Sequence, residues 1–94
     1  MEREYLFGPA LRRMRLARGL PQDAFATTTT QAHLSRLERG VREPTWGKVT
    51  ELAVKLEVHP LTLFALSYLV IDEASSVDEL LDTVKRELNM LGVA

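Results

Sequence analysis

The stretch that decides the fold is Thr27-Thr28-Thr29-Thr30-Gln31-Ala32-His33-Leu34-Ser35-Arg36-Leu37-Glu38-Arg39-Gly40. Four consecutive threonines make a poor helix interior. Their β-branched side chains lose rotamer freedom there, and their hydroxyls can cap or bond back to nearby main chain. The run therefore predicts a turn, with Thr30 capping the helix that follows. Gln31 to Arg39 predicts that helix, and Gly40 predicts its end. Leu34 and Leu37 anchor one side, which leaves Gln31, Ala32, Ser35, Arg36 and Arg39 to project elsewhere.

Upstream, Pro9 to Arg18 predicts a helix with Leu11, Met14 and Ala17 on its apolar side and Arg12, Arg13, Arg15 and Arg18 around them. Pro9 is tolerable in a first turn, and Gly19 stands where a terminating glycine belongs. Pro21 to Ala26 predicts a second, short helix. Downstream, Val41 to Pro44 is a charged loop. Thr45 caps a fourth helix whose apolar residues Val49, Leu52, Ala53 and Leu56 recur at helical spacing. Pro60 opens a fifth, built on Leu61, Leu63, Phe64 and Leu66. Tyr68 to Ile71 suits a helix or a strand, and Asp72 to Ser76 breaks the pattern. Ser76 then caps a last helix, with Glu79 at the third position of a capping box.

The order of these pieces resembles the helix-turn-helix domain of phage repressor/Cro-type regulators, the xenobiotic-response-element family. The resemblance runs from Leu11 to Phe64. It rests on Leu11 to Arg15 with Gly19-Leu20, on Gln22 with Ala26, on Leu34 to Gly40, on Arg42-Glu43-Pro44-Thr45, and on Leu52 to Pro60 leading to Leu63-Phe64. It implies an all-α fold, a five-helix repressor-like domain plus a C-terminal helix. Residues 1–71 would form the DNA-binding domain and residues 72–94 a dimerisation element. Two features depart from the family. The turn before the third helix is shorter, with threonines in place of a glycine-containing turn, and Pro21 replaces the usual Ser or Thr cap.

The third helix has the chemistry of a reading helix. Glutamine can bond two edges of adenine, arginine two acceptors of guanine, and alanine can touch a thymine methyl. Thr30, Gln31, Ala32, Ser35 and Arg36 are the candidate base readers, with His33 beside them. By resemblance, Gln22 contacts a phosphate. Arg39 and Arg42, just past the reading helix, are candidate phosphate partners. Arg15 pairs by resemblance with Glu38, joining the first helix to the end of the third. Arg12, Arg13 and Arg18 suit a solvated face as well as a DNA role.

The charge distribution agrees. The net charge is −1, but residues 1–48 carry nine Lys/Arg against five Asp/Glu, and residues 49–94 carry three against eight. The basic half is the binding half and the acidic half has another duty. In the latter, Val77, Leu81, Val84, Leu88 and Leu91 repeat at heptad spacing. With Tyr68, Val70 and Ile71 they form the expected dimer interface, although a helix packed on its own domain is an alternative.

No cysteine is present, which removes disulfides, thiol chemistry and cysteine-bound zinc and fits a reducing cytoplasm. His33 and His59 lack partners at metal spacing, and no catalytic arrangement or phosphate-cradling glycine loop is visible. The expectation is a cytoplasmic non-enzyme with no metal, cofactor or membrane span. Its partners are double-stranded DNA, a second copy and, where regulation requires it, another protein. Trp46 is expected to anchor the core or a loop. An antitoxin, a restriction-modification controller and a protein-interaction module without DNA binding are alternatives on the same fold.

Overall fold

A computed structural model describes residues 6–71 and 76–93, the side chains of Val70 and Ile71 excepted. The elements are α1 (Phe7–Ala17), a 3₁₀ turn (Gln22–Phe25), α2 (Gln31–Glu38), α3 (Trp46–Leu56), α4 (Pro60–Ile71) and α5 (Val77–Met90). The described residues are all-α, as the sequence implies. The second helix is a correction, being a single 3₁₀ turn. Pro21 supplies no cap hydroxyl, and the threonine run follows too soon for an α-helix to propagate.

The punctuation follows local chemistry. Thr30 Oγ1 accepts from the His33 amide, Thr45 Oγ1 from the Lys48 amide and Ser76 Oγ from the Glu79 amide, each at 3.1 Å. Gly19 and Gly40 take left-handed φ values of 68° and 76° past α1 and α2. α3 ends differently, on Glu57 at φ 59°. The Arg18 guanidinium donates to the Glu57 carbonyl at 3.0 Å and ties the end of α1 to the end of α3.

One core joins every element of the domain: Phe7 and Leu11 from α1, Phe25 from the 3₁₀ turn, Leu34 and Leu37 from α2, Val49, Leu52, Ala53 and Leu56 from α3, and Leu63 from α4. α1 starts at Phe7, two residues before Pro9, and so brings Phe7 and Gly8 inside. Ala17, expected on its apolar side, is exposed. Gly8 lies at the crossing of α1 and α2. A β-carbon there would overlap the Leu37 carbonyl oxygen and come within 2.8 Å of the Glu38 carbonyl oxygen and 2.9 Å of the Gly40 nitrogen. The close approach that seats α2 therefore depends on glycine.

Tyr68 to Ile71 continue α4 as helix. α4 carries no charged residue, and its buried Ser67 donates back to the Leu63 carbonyl at 2.9 Å, so the hydroxyl costs the core little. α4 packs chiefly against α1 and more lightly against α3 and α5. Trp46 is a second correction as far as the core is concerned. It opens α3 with 79% of its surface exposed, its ring 5.9 Å from that of Phe64.

Candidate nucleic-acid interface

α2 is held from below and open above. Leu34, Leu37 and Glu38 are buried, whereas Gln31, Ala32 and Arg36 are exposed and His33 and Ser35 half-buried. Thr30 is exposed, but its hydroxyl oxygen is already committed to capping. At the far end Gly40 turns the chain, and the Val41 and Arg42 amides donate to the Arg36 carbonyl at 3.0 and 3.4 Å. The loop thus wraps over the end of the helix and sets Arg42 beside it. Arg39 is also exposed, its Nε donating to the Ser35 carbonyl at 3.3 Å. Three exposed arginines, Arg36, Arg39 and Arg42, therefore stand on the last turn of α2 and in the loop that follows it. Their charges fit phosphate or the acceptor edge of guanine.

The base of α2 is fixed by a bidentate ion pair. Arg15 Nε and Nη2 donate to Glu38 Oε2 and Oε1 at 2.6 and 2.9 Å, and Nη1 donates to the Leu20 carbonyl at 2.9 Å. Only 7% of Arg15 and 5% of Glu38 is exposed. The hydrogen bond and the charge of Glu38 outweigh desolvation and raise the Arg15 pKa above the guanidinium's ordinary value. Gln22 extends this pair outward. Its Nε2 donates to Glu38 Oε1 at 3.3 Å, and its Oε1 accepts from Gln31 Nε2 at 3.5 Å. A polar chain thus runs from the buried pair to the first side chain of α2. Half-buried Gln22 orients Gln31 as well as standing near the surface.

Arg12 and Arg13 lie exposed on α1, outside this network, and Arg18 is engaged with Glu57. The heptad seam is only partly covered. Val84 is half-buried, Val77, Leu81, Leu88 and Leu91 are exposed, and no residue of α5 is fully buried. Tyr68 is exposed on the adjoining face of α4. The side chains of Val70 and Ile71 lie outside the described residues, as does the break from Asp72 to Ser75. Between α4 and α5 runs an apolar groove of about 310 Å³ lined by Leu61, Phe64, Tyr68, Leu80, Leu81 and Val84.

Sequence reasoning passed over two residues that shape this surface. Gly8 lay just outside the expected first helix, and Lys48 carried no motif at all. The apolar pair Leu6-Phe7 ahead of Pro9 is a weak sign that α1 begins early, and Gly8, between the pair and Pro9, works against it. Among the described residues no three His, Cys, Asp or Glu side chains gather to hold a metal. His59 is occupied with α4, its Nδ1 accepting from the Leu61 amide at 3.0 Å. No single described helix is long and apolar enough to cross a membrane.

A short helix seated on a buried ion pair, preceded by a turn and presenting polar and basic groups, is the arrangement of a helix-turn-helix DNA-binding protein. The family comparison agrees. Residues 6–66 match the model of the helix-turn-helix domain, and the chain belongs to that family. A comparison with curated proteins returned no significant match.

Proposed function

We propose that the chain is a transcriptional regulator of the repressor/Cro type, one that binds a pseudo-palindromic operator as a homodimer and catalyses no reaction. The observation that carries this reading is the two-sided character of α2, with Leu34, Leu37 and Glu38 locked into the domain and Gln31, Ala32 and Arg36 open to solvent. Gln31 and Arg36 read base edges, with Ala32 and Ser35 allowing close approach and Thr30 and His33 at the rim. Arg39 and Arg42 hold phosphates, and Gln22 shares that duty while it orients Gln31.

The homodimer rests on the apolar seam of α5 and the uncharged face of α4. Four large apolar side chains of that seam stay exposed in the single chain, more than an isolated surface helix needs. Residues 72–94 serve as the dimerisation element. Their acidic residues Asp78, Glu79, Asp82 and Glu87 sit best away from the phosphates. Two-fold pairing sets two reading helices about one helical turn apart, in successive major grooves. The site of action is the cytoplasm, a reducing compartment that a chain without cysteine suits.

Selection of binding sites from random duplex DNA tests the reading, combined with sedimentation of the free protein and of its complex. The expected result is a two-fold symmetric sequence bound by two chains. Recovery of no sequence preference, or of an asymmetric site bound by one chain, contradicts it.

A further inference from the structure

Lys48 stands at the third position of α3, behind its cap Thr45, in a first turn that holds no acidic residue. A positive charge there opposes the helix dipole. Its partners are the turn before α2 and the next turn of α3. The ammonium donates to the main-chain carbonyl of Thr28 at 2.7 Å and to Glu51 Oε2 at 2.9 Å. Its side chain is three-quarters buried, while that of Glu51 is mostly open to water.

Thr28 is the second residue of the threonine turn that leads into the reading helix. Its amide donates to the Phe25 carbonyl at 2.8 Å, as does that of Thr29 at 2.9 Å. Lys48 holds the other side of the same residue. The peptide group before Thr28 is thus held to the 3₁₀ turn, and the one after it is held by its N–H to the 3₁₀ turn and by its carbonyl to α3, two residues before Thr30 caps α2. The turn holds no glycine whose left-handed backbone could set its path by itself.

From this geometry we infer that Lys48 is a positioning residue for DNA reading: its bond to the Thr28 carbonyl sets the angle at which α2 presents Gln31 and Arg36. Lys48 touches no base. It acts on specificity through the turn, whereas Glu51 only neutralises the ammonium. The inference rests on the DNA-reading assignment of α2.

The test compares Lys48→Met, Lys48→Arg and Glu51→Gln with the unsubstituted protein, well below the melting temperature of each. Affinity is measured for the selected operator and for random duplex across a salt series. Lys48→Met keeps the apolar stem and loses the donor. It is expected to lower the ratio of specific to random affinity about tenfold, the lower end of what one misaligned base contact costs. Affinity for random duplex and its salt slope stay unchanged. Lys48→Arg restores most of the ratio, and Glu51→Gln leaves it intact. If Lys48→Met weakens both DNAs alike and lowers the salt slope by about one, Lys48 is a phosphate contact and the inference is overturned. An unaltered ratio in Lys48→Met, or an equal fall in Glu51→Gln, overturns it as well. Failure of the unsubstituted protein to prefer any sequence would instead sink the DNA-reading assignment itself.

Discussion

Substituting either member of the Arg15–Glu38 pair should cost far more than a surface charge does. In Glu38→Ala the guanidinium keeps only the Leu20 carbonyl as a protein acceptor, with 7% of the residue in contact with solvent. In Arg15→Ala the carboxylate keeps only Gln22, at 3.3 Å. Each single substitution strands a buried charge, at about 3–5 kcal/mol. A domain of this size is stable by roughly 5–14 kcal/mol, so the loss is about a fifth of the total or more. With a urea m-value near 1.5 kcal/mol/M the midpoint falls by about 2–3 M. Replacing both residues by hydrophobic ones of similar volume, Arg15→Met with Glu38→Leu, should cost far less than the two Ala substitutions together, because no charge is left behind. Urea titration of the two single Ala variants and the double variant, followed by circular dichroism, reads all three. Midpoint shifts below about 0.5 M in the singles, or a double variant at the sum of the singles, would refute the stranded-charge argument.

Three further outcomes follow from packing and backbone geometry. Gly8→Ala drives a methyl into the main chain of α2 and should destabilise by several kcal/mol, more than the ~1–3 kcal/mol of ordinary overpacking, because the obstructing atoms are backbone; a thermal melt within a few degrees of the unsubstituted protein contradicts the close crossing. Glu57→Gly relieves a left-handed residue and retains the Arg18 bond, which uses the carbonyl, so it should raise stability by about 0.5–1 kcal/mol; a lower melting temperature contradicts it. Leu81→Ala with Leu88→Ala should shift sedimentation toward the monomer while the circular dichroism of the core helices persists, and affinity for a full operator should fall much further than for a half-site; a variant that remains dimeric removes α5 from the interface.

Wherever one residue type has a strong local preference, the sequence is transparent. Gly19 and Gly40 mark the ends of two helices because only glycine takes positive φ freely, and Thr30, Thr45 and Ser76 mark the starts of three because their hydroxyls accept an amide. Glu57 ends α3 against that preference, so nothing in its identity announces it. The early start of α1 was hidden because Gly8 is a weak helix former, and its reason for being there is the main chain of α2, distant in sequence. Tyr68 to Ile71 could not be resolved by pattern, since a short apolar run bounded by polar residues suits helix and strand alike. The exposure of Trp46 runs against the usual burial of its residue type, and its ring lies beside Phe64 of α4, a contact between residues far apart in sequence. In the interface, the outward set on α2 could be read from periodicity. The link from Glu38 through Gln22 to Gln31, and the tie from Lys48 to Thr28, join residues far apart in sequence and leave no trace in it.

The central claim is that α2 reads bases while the arginines beyond it hold phosphates, and the most direct measurement is a salt- and sequence-resolved binding comparison of Gln31→Ala, Arg36→Ala, Arg39→Ala and Arg42→Ala. Gln31→Ala and Arg36→Ala should each relax preference at one operator position and its symmetry mate, at about 1–3 kcal/mol per contact, with random-duplex affinity little changed. Arg39→Ala and Arg42→Ala should weaken every sequence alike and flatten the salt dependence. Uniform loss from Gln31→Ala and Arg36→Ala with specificity intact would contradict the account and place the reading face elsewhere on the domain.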